Sequence, residues 1–308
     1  MVRVAESGAS LAAKFLDPAQ LARLMAQPLH ARGPMEGNVS GLHKSPHRGS
    51  SVEFAEYRNY VPGDDLRRLD WRVFGRTDRF YIREFEAETN LRLYVVLDCS
   101  ESMAFELGGV RRFDLARRLA AAFGYMAVHQ GDAAGLWCVG GKKLVEIPPR
   151  RNPAHLQLIF ETLNAAEAKG GTTLPQALHE LAEKVRPRGL IVLLSDFFCD
   201  AEELINALQH LRFKKHDLAL FHLLDRSELD FKFDRPIRFL DLEGNASVVT
   251  EPAIIREEYL RAVNQFVARL KDGCHEVKAS YHQIVSDQDY EKILAEFLIE
   301  RARFATAA

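Results

Sequence analysis

The chain has 308 residues, 47% hydrophobic and 27% charged, with 41 Lys and Arg against 43 Asp and Glu for a net charge of −2. This composition is that of a globular protein, and so balanced a charge argues against general nucleic-acid binding, which needs surplus cations to displace counterions. No apolar run nears the roughly 18 residues of a membrane span, and the opening MVRVAESGASLAAKFLD lacks the continuous apolar centre of a signal peptide, so a cytoplasmic location is expected.

Residues 1–88 read as a charged, irregular N-terminal extension punctuated by Gly and Pro, and residues 89–308 as one α/β domain. Within the extension, Pro62-Gly63-Asp64-Asp65 is a turn signal, and Arg67, Arg68, Asp70 and Arg72 beside Trp71 fit a salt-bridged structural shell, with a direct partner contact as the alternative. Leu91–Leu97 is apolar and β-branched enough for a central strand. A helix over Val110–His129 follows, with Phe113, Ala116, Leu119, Phe123 and Met126 on one stripe. Ala133–Val139 and Lys143–Ile147 read as a strand pair turned at Gly140-Gly141 and ended by Pro148-Pro149. Helices are expected at Pro153–Leu163, with Pro in the first turn, and at Leu174–Val185.

Gly189–Ser195 reads as the second central strand, Ala201–Arg212 as a helix and Leu218–Leu224 as a third strand. An edge hairpin is expected within 226–250. Ile254–Lys271 forms an amphipathic helix with Tyr259, Val263, Phe266 and Leu270 on one stripe, and a strand over Tyr281–Val285 leads into a closing helix from Asp287 to about Arg303. Strands alternating with helices predict a doubly wound, mostly parallel sheet covered on both faces.

The chemistry gathers in three loops. In open α/β sheets ligands bind beyond the carboxyl ends of the strands. The first central strand runs into Asp98-Cys99-Ser100-Glu101-Ser102, Gly170-Gly171-Thr172-Thr173 opens a helix, and the second central strand runs into Ser195-Asp196. Asp98, Ser100, Ser102, Thr172 and Asp196 among them offer only oxygen donors, the preference of hard cations such as Mg²⁺ and Mn²⁺. Ser100 and Ser102 lie two apart in a turn, so both hydroxyls can face one point, while Asp98 and Asp196 supply charge. An Asp or Ser after a strand also serves as a plain helix cap, so the argument needs all three loops in order.

Other motifs carry less. Cys99, Cys138, Cys199 and Cys274 contain no CxxC pair and suit buried, reduced thiols. Val139-Gly140-Gly141-Lys142 lacks the spacing of a phosphate loop.

A DxSxS motif, a later GGT and a later strand-end Asp resemble the von Willebrand factor A fold and its metal-ion-dependent adhesion site. The resemblance implies Asp98, Ser100, Ser102, Thr172 (with Thr173 as the register alternative) and Asp196 around Mg²⁺ or Mn²⁺. Upstream, EFAEYRNYVPGDDLRRLDW and the following RTDRFY resemble the signature of a bacterial family called domain of unknown function 58, which carries this segment directly before an A-type domain. That likeness covers roughly residues 40–300. It implies association with MoxR-type AAA+ ATPases and no established catalysis.

The expectation is therefore a divalent-metal-dependent protein-protein interaction module, an adaptor or assembly factor rather than an enzyme, whose partner offers a carboxylate to the ion. Two alternatives stand beside it. One is a Mg²⁺-dependent phosphotransfer or phosphatase enzyme, against which Ser100 stands where a DxD pattern needs its second Asp. The other is a metal-free scaffold in which the same residues cap helices and loops.

Overall fold

Apolar runs too short for buried helices become the inner strands of a six-stranded central sheet, and two more polar segments flank them: β1 (Arg92–Asp98), β2 (Ala133–Val139), β3 (Val145–Arg150), β4 (Leu190–Ser195), β5 (Asp217–Leu224) and β6 (Ser280–Val285), of which β3 and β6 form the edges. The computed structural model describes residues 8–25, 28–30, 43–44, 53–59, 70–77, 79–86, 88–89, 91–107, 109–140, 144–171, 174–186, 188–233, 235, 237–240 and 247–306. Spatial order is β6-β5-β4-β1-β2-β3, parallel throughout except for β3, which runs antiparallel to β2. Strand order thus reverses direction between β1 and β4, which creates a crevice at their carboxyl ends.

Successive side chains of a strand point to opposite faces, and both faces here are covered. Leu93, Val95 and Leu97 of β1 join one core cluster, while Tyr94 and Val96 join the other. Helices α3 (Arg112–His129), α4 (Pro153–Ala165) and α8 (Tyr290–Thr306) cover the first face; α5 (Leu174–Lys184), α6 (Ala201–Phe213) and α7 (Pro252–Glu276) cover the second. The predicted α3 stripe Phe113, Ala116, Leu119, Phe123 and Met126 is fully within the first cluster. Asn152 caps α4 by accepting the Ala154 N–H at 2.8 Å, ahead of Pro153 at the first helical position.

Three elements differ from the sequence expectation. Pro148-Pro149 does not end β3, which continues to Arg150; an edge strand tolerates residues without an N–H. The hairpin Ile237–Leu240 with Ser247–Thr250 forms a separate two-stranded ribbon rather than the edge of the main sheet. Residues 8–24 form two helices, α1 (Gly8–Phe15) and α2 (Pro18–Leu24), instead of irregular chain. Leu11, Phe15, Leu16, Leu21, Leu24 and Leu29 belong to the same cluster as β1, so the packing does not follow a division at residue 88. Arg23 grips Glu291 of α8 through two hydrogen bonds of 2.7 and 2.8 Å.

Further along the extension, Glu53–Asn59 pairs antiparallel with Tyr81–Glu86. Asp70, expected in a salt-bridged shell, is buried and caps the helix Trp71–Thr77 by accepting the Arg72 and Val73 N–H groups at 2.9 and 3.2 Å. Trp71 is 63% exposed. The Pro62–Asp65 turn and Arg67 and Arg68 lie outside the described residues.

Candidate functional site

The carboxyl end of β1 delivers Asp98 into the crevice, with Leu97 in register with Leu194 and Asp98 with Val139. Asp98 is buried. Its Oδ1 accepts the Ser100 N–H at 2.9 Å, a tight Asx turn, and its Oδ2 accepts the Ser195 hydroxyl at 2.6 Å. Ser195 Oγ in turn accepts the Phe197 N–H at 2.7 Å. Ser100 stands at the N-cap of the single turn Glu101–Ala104, yet its hydroxyl makes no cap hydrogen bond there. Instead Ser100 Oγ lies 3.0 Å from Ser102 Oγ. The two hydroxyls lie within hydrogen-bond distance of each other, and helix capping does not account for Ser100.

The second loop is tied to the first by backbone. The Lys169 N–H donates to Cys99 O at 2.9 Å and the Glu101 N–H to Gly170 O at 2.8 Å, with Gly170 at φ +87. Residues 169–171 thus sit against Cys99–Glu101; Thr172 and its alternative Thr173 lie outside the described residues. From the other side, Gly140 packs under the loop. A Cβ there would lie 2.7 Å from Ser100 N.

Asp196 follows β4 directly and is 4% exposed. Its Oδ1 accepts the Phe198 N–H at 3.2 Å, and its Oδ2 accepts Arg112 Nη1 at 3.1 Å. Between the two, Phe197 is buried at φ +51, a region that non-glycine residues rarely adopt. Phe198 turns outward and is 70% exposed.

The two carboxylates feel each other. Burial first, and then the negative charge of Asp196, push the Asp98 carboxyl up to about 6, against the hydrogen bonds from Ser195 and Ser100 that lower it. A group strained toward protonation by desolvation and a like charge is relieved by a cation, and the donors present are carboxyl and hydroxyl oxygens. Among the described residues no three His, Cys, Asp or Glu side chains gather to hold a metal; beside the two acids the donors are the Ser100 and Ser102 hydroxyls. This chemistry fits a hard divalent ion held by few carboxylates.

The structure brings together Asp98, Ser100, Ser102 and Asp196. Sequence reasoning gave no role to three neighbours: Ser195, which fixes Asp98, Arg112, which donates to Asp196, and Glu228, which holds the other side of Arg112. Arg112 Nη2 donates to Glu228 Oε1 at 2.8 Å. The available signal was Arg112 itself, a cation in the first turn of a helix, where the dipole disfavours it.

The uncharacterized protein Rv1480 of Mycobacterium tuberculosis is 28% identical over 302 residues, 94% of this chain and 92% of that one. The uncharacterized protein YeaD of Bacillus subtilis is 27% identical over 145 residues, 47% of this chain and 34% of that one. Among solved structures, the conserved hypothetical protein BatB from Bacteroides thetaiotaomicron is similar at a TM-score of 0.45 and 16% identity, covering 70% of this chain and 100% of that one. The SpRpn10 VWA domain is similar at 0.39 and 11%, covering 68% and 95%. The family model described as "Protein of unknown function DUF58" matches residues 56–268, and the chain belongs to that family.

Proposed function

We propose that this protein is a divalent-metal-dependent protein-protein interaction module rather than an enzyme. One observation carries the reading: two buried acids and two paired hydroxyls, from loops far apart in sequence, meet at the crevice where strand order reverses. Ser100 and Ser102 would hold Mg²⁺ or Mn²⁺, with Thr172 as a third hydroxyl ligand and Asp98 and Asp196 supplying charge. With so few charged ligands an ion held there would stay electrophilic and would supply a position for a partner's carboxylate. Phe198, two residues beyond Asp196 and 70% exposed, offers an apolar anchor beside that contact. The resemblance stated above supplies the partner class, a MoxR-type AAA+ ATPase, with this chain as its adaptor or assembly factor. No helix among the described residues is long and apolar enough to cross a membrane. The buried free thiols Cys99, Cys138 and Cys274 suit a reducing, cytoplasmic setting.

One observation favours a second reading, a metal-free scaffold: Ser195 and Arg112 already give both acids partners. Calorimetry with Mg²⁺ and Mn²⁺ separates the two, since a scaffold gives no heat. The functional test is capture of a purified MoxR-type ATPase by the native chain and by Asp98→Ala, with Mg²⁺ and with chelator. Capture is expected only for the native chain with Mg²⁺. Equal capture by Asp98→Ala, with its metal binding lost and its fold intact by circular dichroism, sinks the mechanism.

A further inference from the structure

Arg112 is an expensive residue to keep. It opens α3, where the helix dipole repels a cation, and its side chain is 3% exposed. Among the described residues its Nε has no hydrogen-bond partner. The rest of the guanidinium is held on several sides. Nη1 donates to Asp196 Oδ2 at 3.1 Å and to Leu223 O at 3.5 Å, Nη2 donates to Glu228 Oε1 at 2.8 Å, and the group lies 5.0 Å from the centre of the Phe105 ring. Glu228 is itself anchored on the short helix Arg226–Asp230, where its Oε2 accepts the Asp225 N–H at 2.7 Å. An acid–guanidinium–acid bridge therefore links α3, the end of β4 and the segment after β5.

We propose that Arg112 is an internal cation that competes with the divalent ion for Asp196, and that Glu228 sets the strength of that competition. The proposal rests on the metal-site reading and names the device that tunes it. Asp196 offers only two oxygens: Oδ1 takes the Phe198 N–H and Oδ2 takes Arg112. A divalent ion drawn to Asp98, Ser100 and Ser102 finds that acid already partly neutralised, with a like charge close behind it in a region water does not reach. Glu228 works in the opposite sense. By holding Nη2 it absorbs part of the guanidinium charge and keeps it from lying on Asp196 alone.

The two partners of the bridge must then shift metal affinity in opposite directions, which a merely structural role would not do. The test is calorimetric titration of the full chain with Mn²⁺, alongside thermal melts, for the native protein, Arg112→Met and Glu228→Gln. Arg112→Met keeps an unbranched stem without the charge, and about tenfold tighter Mn²⁺ binding is expected. Glu228→Gln keeps the shape and removes a negative charge, and weaker binding by several-fold is expected. Unchanged or weaker binding by a folded Arg112→Met overturns the competition while leaving native Mn²⁺ binding, and so the metal site, standing. Should Arg112→Met not fold, Glu228→Gln decides, and equal or tighter binding by it overturns the proposal. Binding by Arg112→Met but not by the native chain supports it in its strongest form. Binding by none of the three overturns both the competition and the metal site.

Discussion

Gly140 shows how a single missing methyl group builds the first site loop. It ends β2 at φ +104, and a Cβ there would lie 2.7 Å from Ser100 N and 2.8 Å from the Cys99 carbonyl carbon. Backbone atoms cannot swing aside as a flexible side chain can, so an added methyl pushes the Asp98–Ser102 turn away from Ser195. Gly140→Ala is expected to cost about 1–3 kcal/mol of stability from the left-handed backbone alone. It should also weaken Mn²⁺ binding about tenfold by displacing the paired hydroxyls. Gly131→Ala is the control, since Gly131 has φ +82 with open space around it and lies at the opposite end of β2. It should lose stability but keep its Mn²⁺ affinity, and equal metal loss in both variants would refute the steric role. At this scale the sequence was readable where spacing alone carried the placement: that Asp98, Ser100, Ser102 and Asp196 meet follows from DxSxS and a strand-end Asp. Gly140 read only as a turn, because its role depends on which strand lies beside it. Arg112 and Glu228 drew no reading, because nothing local reports that Arg112 lies between Glu228 and Asp196, a residue more than eighty positions along the chain.

Secondary elements were legible wherever an apolar period ran long enough to be unambiguous. The α3 stripe and the runs ending at Leu97 and Leu194 are examples, and their ends shift by one or two residues at most, as fraying ends do. The helices α1 and α2, of eight and seven residues, are shorter than the window a helical period needs. Element ends also hold buried groups with consequences for pH. His216 precedes β5 and is fully buried, its Nδ1 accepting the Gly189 N–H at 3.3 Å and its Nε2 lying 3.3 Å from Val185 O. Burial lowers its pKa, against the two backbone hydrogen bonds. Protonation at Nδ1 would also set two N–H donors against each other. Below the ordinary value of about 6.5 the unfolded chain takes up a proton that the folded chain refuses. This contribution to stability is therefore full above that pH and is lost as the pH falls toward the lowered folded value. The melting temperature should decline from pH 6.5 to 5, and His216→Gln, which keeps an acceptor and a donor without titrating, should start lower but decline less. Parallel declines in the two proteins would remove His216 as a cause.

At the scale of the whole molecule, the sheet alone does not define the folding unit. Charge and irregularity upstream of β1 suggested an N-terminal extension, and Leu11, Phe15, Leu16, Leu21, Leu24 and Leu29 of that stretch are each at most 6% exposed in the cluster that includes Leu93, Val95 and Leu97 of β1. Full burial of one such side chain contributes about 1.5–3 kcal/mol. Six of them together rival the entire net stability of a typical domain, about 5–15 kcal/mol. The exposed Arg23–Glu291 pair adds little beside that, since surface ion pairs are worth about 0–1 kcal/mol. A chain lacking residues 1–30 is therefore expected to lose its cooperative melt and to bind a hydrophobic dye, because α4 and α8 would expose the apolar surface that α1 and α2 now cover. Trp71→Ala, at a side chain already 63% exposed, should leave the melt within a few degrees of the native value. If the shortened chain melted cooperatively near the native temperature, the first thirty residues would be an accessory after all. If it collapses as expected, the crevice that gathers Asp98, Ser100, Ser102 and Asp196 depends on helices well upstream of it in sequence, because α1 and α2 pack on α3, α4 and α8, the helices that cover the first face of the sheet.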